Sequence, residues 1–306
     1  MTTRFETRTD LEDMLTTDIP IIKSSIEGKD AKYYKAYWVD GNSGADTNSG
    51  LSPILPFKTL KAAMAASHAA IGSGKWGWAS RNVIYVNSDC AETLVTLAQK
   101  TDIVGIGSFD GHPYSIITGN HVIVGDFMGT RLINMGFRAP VAGGAILTVP
   151  TTVSGLKILD CFLHGQNTAN ASESIVATAV DSLEIKRCRF YGQVTAAPIK
   201  LGAGSSNGLV IEDNIIESAA IGILVDANLT CAQGQAIIKD NFFDVGTLVV
   251  DDNSSKVAIS GSRGRTQSNG KVAETFDYGA ALCCDNLITC SASTTSIYPA
   301  QASIPA

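Results

Sequence analysis

The chain has 306 residues, 45% of them hydrophobic and 17% charged, with a net charge of −6. That is ample material for a core and too little charge for a solvated, disordered chain. No Lys/Arg run exceeds two residues, which argues against a nucleic-acid groove, and no stretch approaches the roughly 18 apolar residues of a membrane span.

Residues 1–34 are polar and mixed. Thr9 with Glu12 predicts a capping box on a short helix through Leu15, ended by Pro20. The segment lacks the apolar core of a signal peptide and buries little by itself. It reads as an attachment or partner-binding segment.

Residues 35–80 carry the strongest local signal. Tyr37-Trp38-Val39 predicts a strand, followed by a polar, Gly-rich loop from Asp40 to Gly50. After Pro56-Phe57-Lys58-Thr59-Leu60, the Ala-rich run from Lys61 to Ala70 predicts a helix. Leu60, Ala63, Met64 and His68 share one helical face, and Gly72 and Gly74 end the run.

Residues 81–261 are short Val- and Ile-rich runs punctuated by Gly, Asn and Asp, which predicts strands. Four segments superimpose without gaps, starting at Leu156, Leu183, Leu209 and Ala236, so the starts lie 27, 26 and 27 residues apart. Weaker copies surround Thr130, Asp102 and Lys256. No repeat contains a helix-length run, and the leucine-rich-repeat signature is absent. A solenoid of parallel strands, one coil per repeat, fits the period. Its coils stack about 4.8 Å apart, so equivalent residues form columns. Leu156, Leu183, Leu209 and Ala236 make one inward column. Ile158, Ile185, Ile211 and Ile238 make a second, and Leu163, Phe190, Ile216 and Phe243 a third. Cys161, Cys188, Asn214 and Asn241 share a turn position, where an Asn amide bonds to the next coil and tolerates left-handed backbone.

Residues 262–306 break the pattern. They read as a tail that caps the last coil or meets a partner, since an uncovered solenoid end invites association. The seven cysteines, Cys90, Cys161, Cys188, Cys231, Cys283, Cys284 and Cys290, include no C-x-x-C pair, and there are only four histidines. They predict reduced, buried thiols rather than a zinc site.

The segment from Tyr37 to Ala66 resembles the start of pectate-lyase-like right-handed β-helices. The residues that carry the resemblance are Val39-Asp40-Gly41, Gly44, Asp46, Asn48, Gly50, Pro56-Phe57-Lys58-Thr59-Leu60 and Ala63. The coil repeats ending in Asp213-Asn214 and Asp240-Asn241 are similar to the same superfamily. The resemblance implies a single-stranded right-handed parallel β-helix over about 35–261, with the Ala-rich helix capping its first coil. The superfamily includes lyases, depolymerases, and phage tailspikes and other virion proteins, and fold alone does not choose among them.

Lyase members use a carboxylate-held calcium and a basic residue, and hydrolase members use clustered carboxylates. Two columns are candidates here. Asp160, Arg187, Asp213 and Asp240 form one; His164, Tyr191, Glu217 and Asp244 form the other. Glu217 and Asp244 fall near the roughly 5 Å spacing of a retaining glycosidase pair. Arg187 beside Asp213 suits a lyase base next to a calcium ligand. Against this, Arg187 lies between two acids and Lys186, Glu212 and Lys239 alternate in sign, as an exposed charge ladder requires. In the Asp40–Gly50 loop, Asp40, Asp46 and Asn48 are calcium candidates, although Asx turns explain the composition equally well. The glycine motifs at 72–76 and 105–111 fall short of phosphate-binding patterns and read as turns.

The resulting expectation is a structural, phage-type virion component such as a tailspike, fibre or capsid-decorating protein. It needs no cofactor and is assembled in the host cytoplasm. It forms a homotrimer and contacts other virion proteins through 1–34 and 262–306. A polysaccharide lyase or glycoside hydrolase is the alternative, and a non-catalytic glycan-binding adhesin the third reading.

Overall fold

The computed structural model describes residues 33–290 apart from 74–80, 95–96, 110–111, 114, 124–128, 140–142, 151–153, 166–170, 193, 219–220, 231–235, 247–249, 253, 255–256, 267–275, 279–282 and 285–286. The expectations for 1–32 and 291–306, including the helix after Thr9, lie outside the described residues.

The Ile column predicted from the repeats is the spine of the molecule. Tyr37, Ile84, Ile103, Leu132, Ile158, Ile185, Ile211 and Ile238 are register partners in turn, each strand paired in parallel with its equivalent one coil on. All eight are buried. β-Branched side chains stack well at this spacing, which is why Ile dominates the column. Among the described residues this first sheet has ten strands, from Tyr33–Val39 to Cys283–Cys284. The second has nine, from Cys90–Ala91 to Leu287–Cys290, with Ile117, Phe137, Leu163, Phe190, Ile216 and Phe243 as its inward column. The chain visits the sheets in rotation, and parallel crossovers of this kind are right-handed. The fold is thus a single-stranded right-handed parallel β-helix.

A third sheet of seven strands, from His121–Val122 to Phe276–Tyr278, closes each coil. Leu147, Ile175, Ile199, Ile223 and Val250 form its inward column. The ladders also run past residue 261: Arg263–Thr266 pairs with Phe242–Val245, and Leu287–Cys290 pairs with Arg263–Thr266. The coil pattern therefore reaches into the segment read from sequence as a tail.

The helix Leu60–Ser73 runs through Gly72. It packs Leu60, Ala63, Met64, Ser67 and Ala70 inward, while His68, expected on that face, is exposed. Thr59 is its N-cap: Oγ1 accepts the Ala62 N–H at 3.2 Å. Glu92, from a later coil, accepts the Leu60 and Lys61 N–H groups at 2.7 and 3.2 Å. A carboxylate at the positive end of the helix ties the cap to the solenoid. Among the described residues no helix is long and apolar enough to cross a membrane.

Candidate functional site

The acidic turn column is organised by backbone conformation. Six successive coils pass from first sheet to second through a left-handed residue: Asn134, Asp160, Arg187, Asp213, Asp240 and Gly261 have φ between 52° and 61°. Asp and Asn tolerate that region because their short polar side chains bond locally. Asp213, Asp240 and Arg187, the sequence-derived candidates in this column, therefore sit at the turns. Arg187 grips Asp160 with both ends of its guanidinium, Nε to Oδ1 at 2.7 Å and Nη2 to Oδ2 at 2.9 Å, rather than bridging to Asp213 as well. Beside the turns, Lys157, Glu184, Lys186, Glu212 and Lys239 form a zigzag of ion pairs across four coils. The Lys239 ammonium, opposed by burial and assisted by Lys186, holds the Glu212 carboxyl below its ordinary range.

The first-coil motif is equally structural. Asp40 accepts hydrogen bonds from the Ser43 hydroxyl, the Asn42 and Ser43 N–H groups and the Ser88 hydroxyl, and these bonds, Ser43 foremost, lower its pKa to about 2 against burial. Asp46 accepts from the Lys58 and Thr59 N–H groups and the Thr59 hydroxyl. Asn48 donates to the Pro56 carbonyl. Gly50, at φ 66°, lets the Phe57 ring lie where a Cβ would be. The three calcium candidates thus direct their polar atoms at this loop. Among the described residues no three His, Cys, Asp or Glu side chains gather as a metal cluster.

The outer face of the second sheet differs. Its strands alternate strictly, so residues flanking the inward Leu163, Phe190, Ile216 and Phe243 point to solvent. One outer row runs Phe162, Arg189, Ile215, Phe242. In the other, Arg138 adjoins His164 and His164 adjoins Tyr191. The pairing of Phe190 with Ile216 places Glu217 beside Tyr191, and Asp244 is the register partner of Glu217. The Phe162, His164 and Tyr191 rings are stacked, with centroids 6.0 and 5.5 Å apart. Three large apolar side chains stay exposed within three consecutive coils: Tyr191 at 42%, Ile215 at 41% and Phe242 at 49%. Charges interleave with them. Arg189 lies 5.9 Å from the Tyr191 ring centre and pairs with Glu217 at 3.1 Å, while its Nε is buried with no hydrogen-bond partner among the described residues.

Of the sequence-predicted site residues, Glu217 and Asp244 therefore share this surface, and Asp213, Asp240 and Arg187 belong to the adjacent turns. Sequence reading singled out His164, Tyr191, Glu217 and Asp244 but missed Arg189, Ile215 and Phe242. Their signal was the alternation itself, since each precedes the inward residue of its strand.

Fold and surface together define a parallel β-helix with one mixed aromatic and charged outer face. Among solved structures, the chain is similar to pectin methylesterase PemA from Erwinia chrysanthemi, at 13% identity over 82% of this chain and 99% of that one, with a TM-score of 0.42. It is similar to a pectin methylesterase in complex with a hexasaccharide, at 13% identity, 82% and 99% coverage and a TM-score of 0.40. The pectin methylesterase of Aspergillus niger aligns at 15% identity over 89% of this chain and 91% of that one, with a TM-score of 0.36. At such identities and scores the likeness says nothing about activity. No protein-family model and no curated protein matches the chain.

Proposed function

We propose that the outer face of the second sheet binds a glycan, and that the protein is a glycan-recognising attachment β-helix. The observation that carries this is the exposed Tyr191, Ile215 and Phe242 patch with Arg189, Glu217 and Asp244 interleaved. Sugars offer an apolar C–H face to aromatic side chains and a ring of hydroxyls to charged ones. Sites for such ligands combine apolar contact area with a few placed polar groups. A protein-docking surface would deplete charge from its centre. Here every exposed apolar side chain has a charged neighbour within one coil. The phage-type virion assignment, as a homotrimer in contact with other virion proteins, supplies an assembly in which such a surface would work. The test of that part is the mass of the purified protein and its incorporation into particles.

Depolymerisation is the second reading, favoured by one observation: Glu217 and Asp244 are register partners on adjacent coils of the same face. Incubation with a polysaccharide panel, following binding, reducing ends and unsaturated products together, separates the two. Binding that Phe242→Ala abolishes, with no product, supports the attachment reading. Product that disappears in Glu217→Gln and Asp244→Asn while the fold persists supports an enzyme. Binding unaffected by Phe242→Ala and Tyr191→Ala would place the ligand elsewhere and sink the proposal.

A further inference from the structure

We infer that the glycan carries an anionic substituent, carboxylate or sulfate, and that Arg138 and Arg189 select it. The inference rests on the glycan reading of this face and adds its charge class. Arg189 spends one nitrogen on Glu217, and its side chain stays 40% exposed on this face. An exposed guanidinium is a planar fork built for a carboxylate or sulfate.

Arg138 is the second cation. It is half-buried, adjoins His164 in the outer row and has no ion pair among the described residues. It stands two coils from the strand of Arg189, about 10 Å along the axis. His164 lies on the coil between them, its ring stacked on Tyr191, which shares the strand of Arg189. Beyond Tyr191 the sign reverses, with Glu217 and then Asp244, and Arg265 is the next register partner in the row. Arg138 and Arg189 therefore lie on the side of the ring stack away from the two acids. An anionic group seats against the arginines over the ring stack, and neighbouring hydroxyls donate to the carboxylates. With a net charge of −6, the whole protein repels polyanions, so the attraction is local to this pair and selects position as well as charge.

The test is an array of neutral, carboxylated and sulfated oligosaccharides probed with the full chain, Arg189→Gln, Arg189→Lys, Arg138→Gln and Phe242→Ala, each checked for an unchanged thermal midpoint. The expected hits are confined to acidic glycans. They weaken at least tenfold in Arg189→Gln, are not restored by Arg189→Lys, and also weaken in Arg138→Gln, which leaves Glu217 paired. The carboxylated and sulfated arms identify the anion. Neutral hits that survive both glutamine variants but vanish in Phe242→Ala would overturn the charge inference and leave the glycan reading standing. No hit on any glycan would overturn the glycan reading itself.

Discussion

Six successive coils turn at a left-handed residue, and only one of the six is bulky. Arg187 at φ 52° bears the Cβ penalty that Asn, Asp and Gly avoid at the equivalent positions, and its return is an exposed pair with Asp160. The penalty is about 1–2 kcal/mol and an exposed pair contributes about 0–1 kcal/mol. Arg187→Asn is therefore expected to raise stability by about 0.5 kcal/mol, read as a higher urea midpoint at constant slope. The next residue in the turn works differently. Asn214 accepts the Cys188 N–H and donates to the Ile185 carbonyl, and Asn241 repeats the bond to Ile211. Cys161 and Cys188 copy this donation with their thiols, to the carbonyls of Leu132 and Ile158. Both are free, and burial pushes the Cys188 thiol well above its ordinary value. Asn214→Ala leaves a buried N–H and C=O unpaired at about 1–3 kcal/mol each, a loss of about 3 kcal/mol in total. Asn214→Cys should lose about half as much in the same urea titration.

His121 occupies the inward column of the third sheet, fully buried, with its Nδ1 accepting the Leu94 N–H at 3.0 Å and its ring 5.8 Å from Phe137. Burial, assisted by the Lys61 charge, lowers its pKa to about 4. An unfolded histidine binds its proton near pH 6.5, so between those values only the unfolded chain is protonated. Stability should fall as pH drops from about 6.5 to about 4 and this contribution should then level off, the whole loss being about 3 kcal/mol. His121→Leu should remove that slope whatever its own stability. A wild-type profile flat across this window would contradict a buried neutral imidazole.

At the scale of elements, the first two sheets were legible between residues 156 and 245, where their strands have three or four residues each and the turn between them is constant, so Ile158, Ile185, Ile211 and Ile238 stayed in register in the sequence. The third sheet was not. Its strands run from His121–Val122 with two residues to Val194–Leu201 with eight, and the joining segments vary, which blurs any gapless period. The ladder past residue 261 was hidden for a related reason, since Gly264 stands where earlier coils have Leu163, Phe190, Ile216 and Phe243. The turn aspartates read as candidate acids because a column of carboxylates looks alike whether it serves chemistry or left-handed backbone. The helix was legible by propensity, its tether was not: Glu92 lies 32 residues beyond Leu60. Glu92→Ala should cost about 1 kcal/mol and lower the thermal midpoint, since it frees two N–H groups at the helix start.

Over the whole molecule, each coil meets only its neighbours, so stability is close to a sum of coil and interface contributions. Ile185→Ala opens a cavity in the spine at about 2–5 kcal/mol, and native-state hydrogen exchange should accelerate most in the coils around 158, 185 and 211. The same one-dimensional order places Tyr191, Ile215 and Phe242 on three adjacent coils of one face, at the spacing of the strands themselves. That the working surface lies there is the central claim. Its most direct test is a glycan array read side by side with the wild-type chain and a Tyr191→Ala/Phe242→Ala double variant of matched thermal midpoint. The account predicts discrete wild-type hits that the double variant loses. Hits of equal strength in both proteins would contradict it.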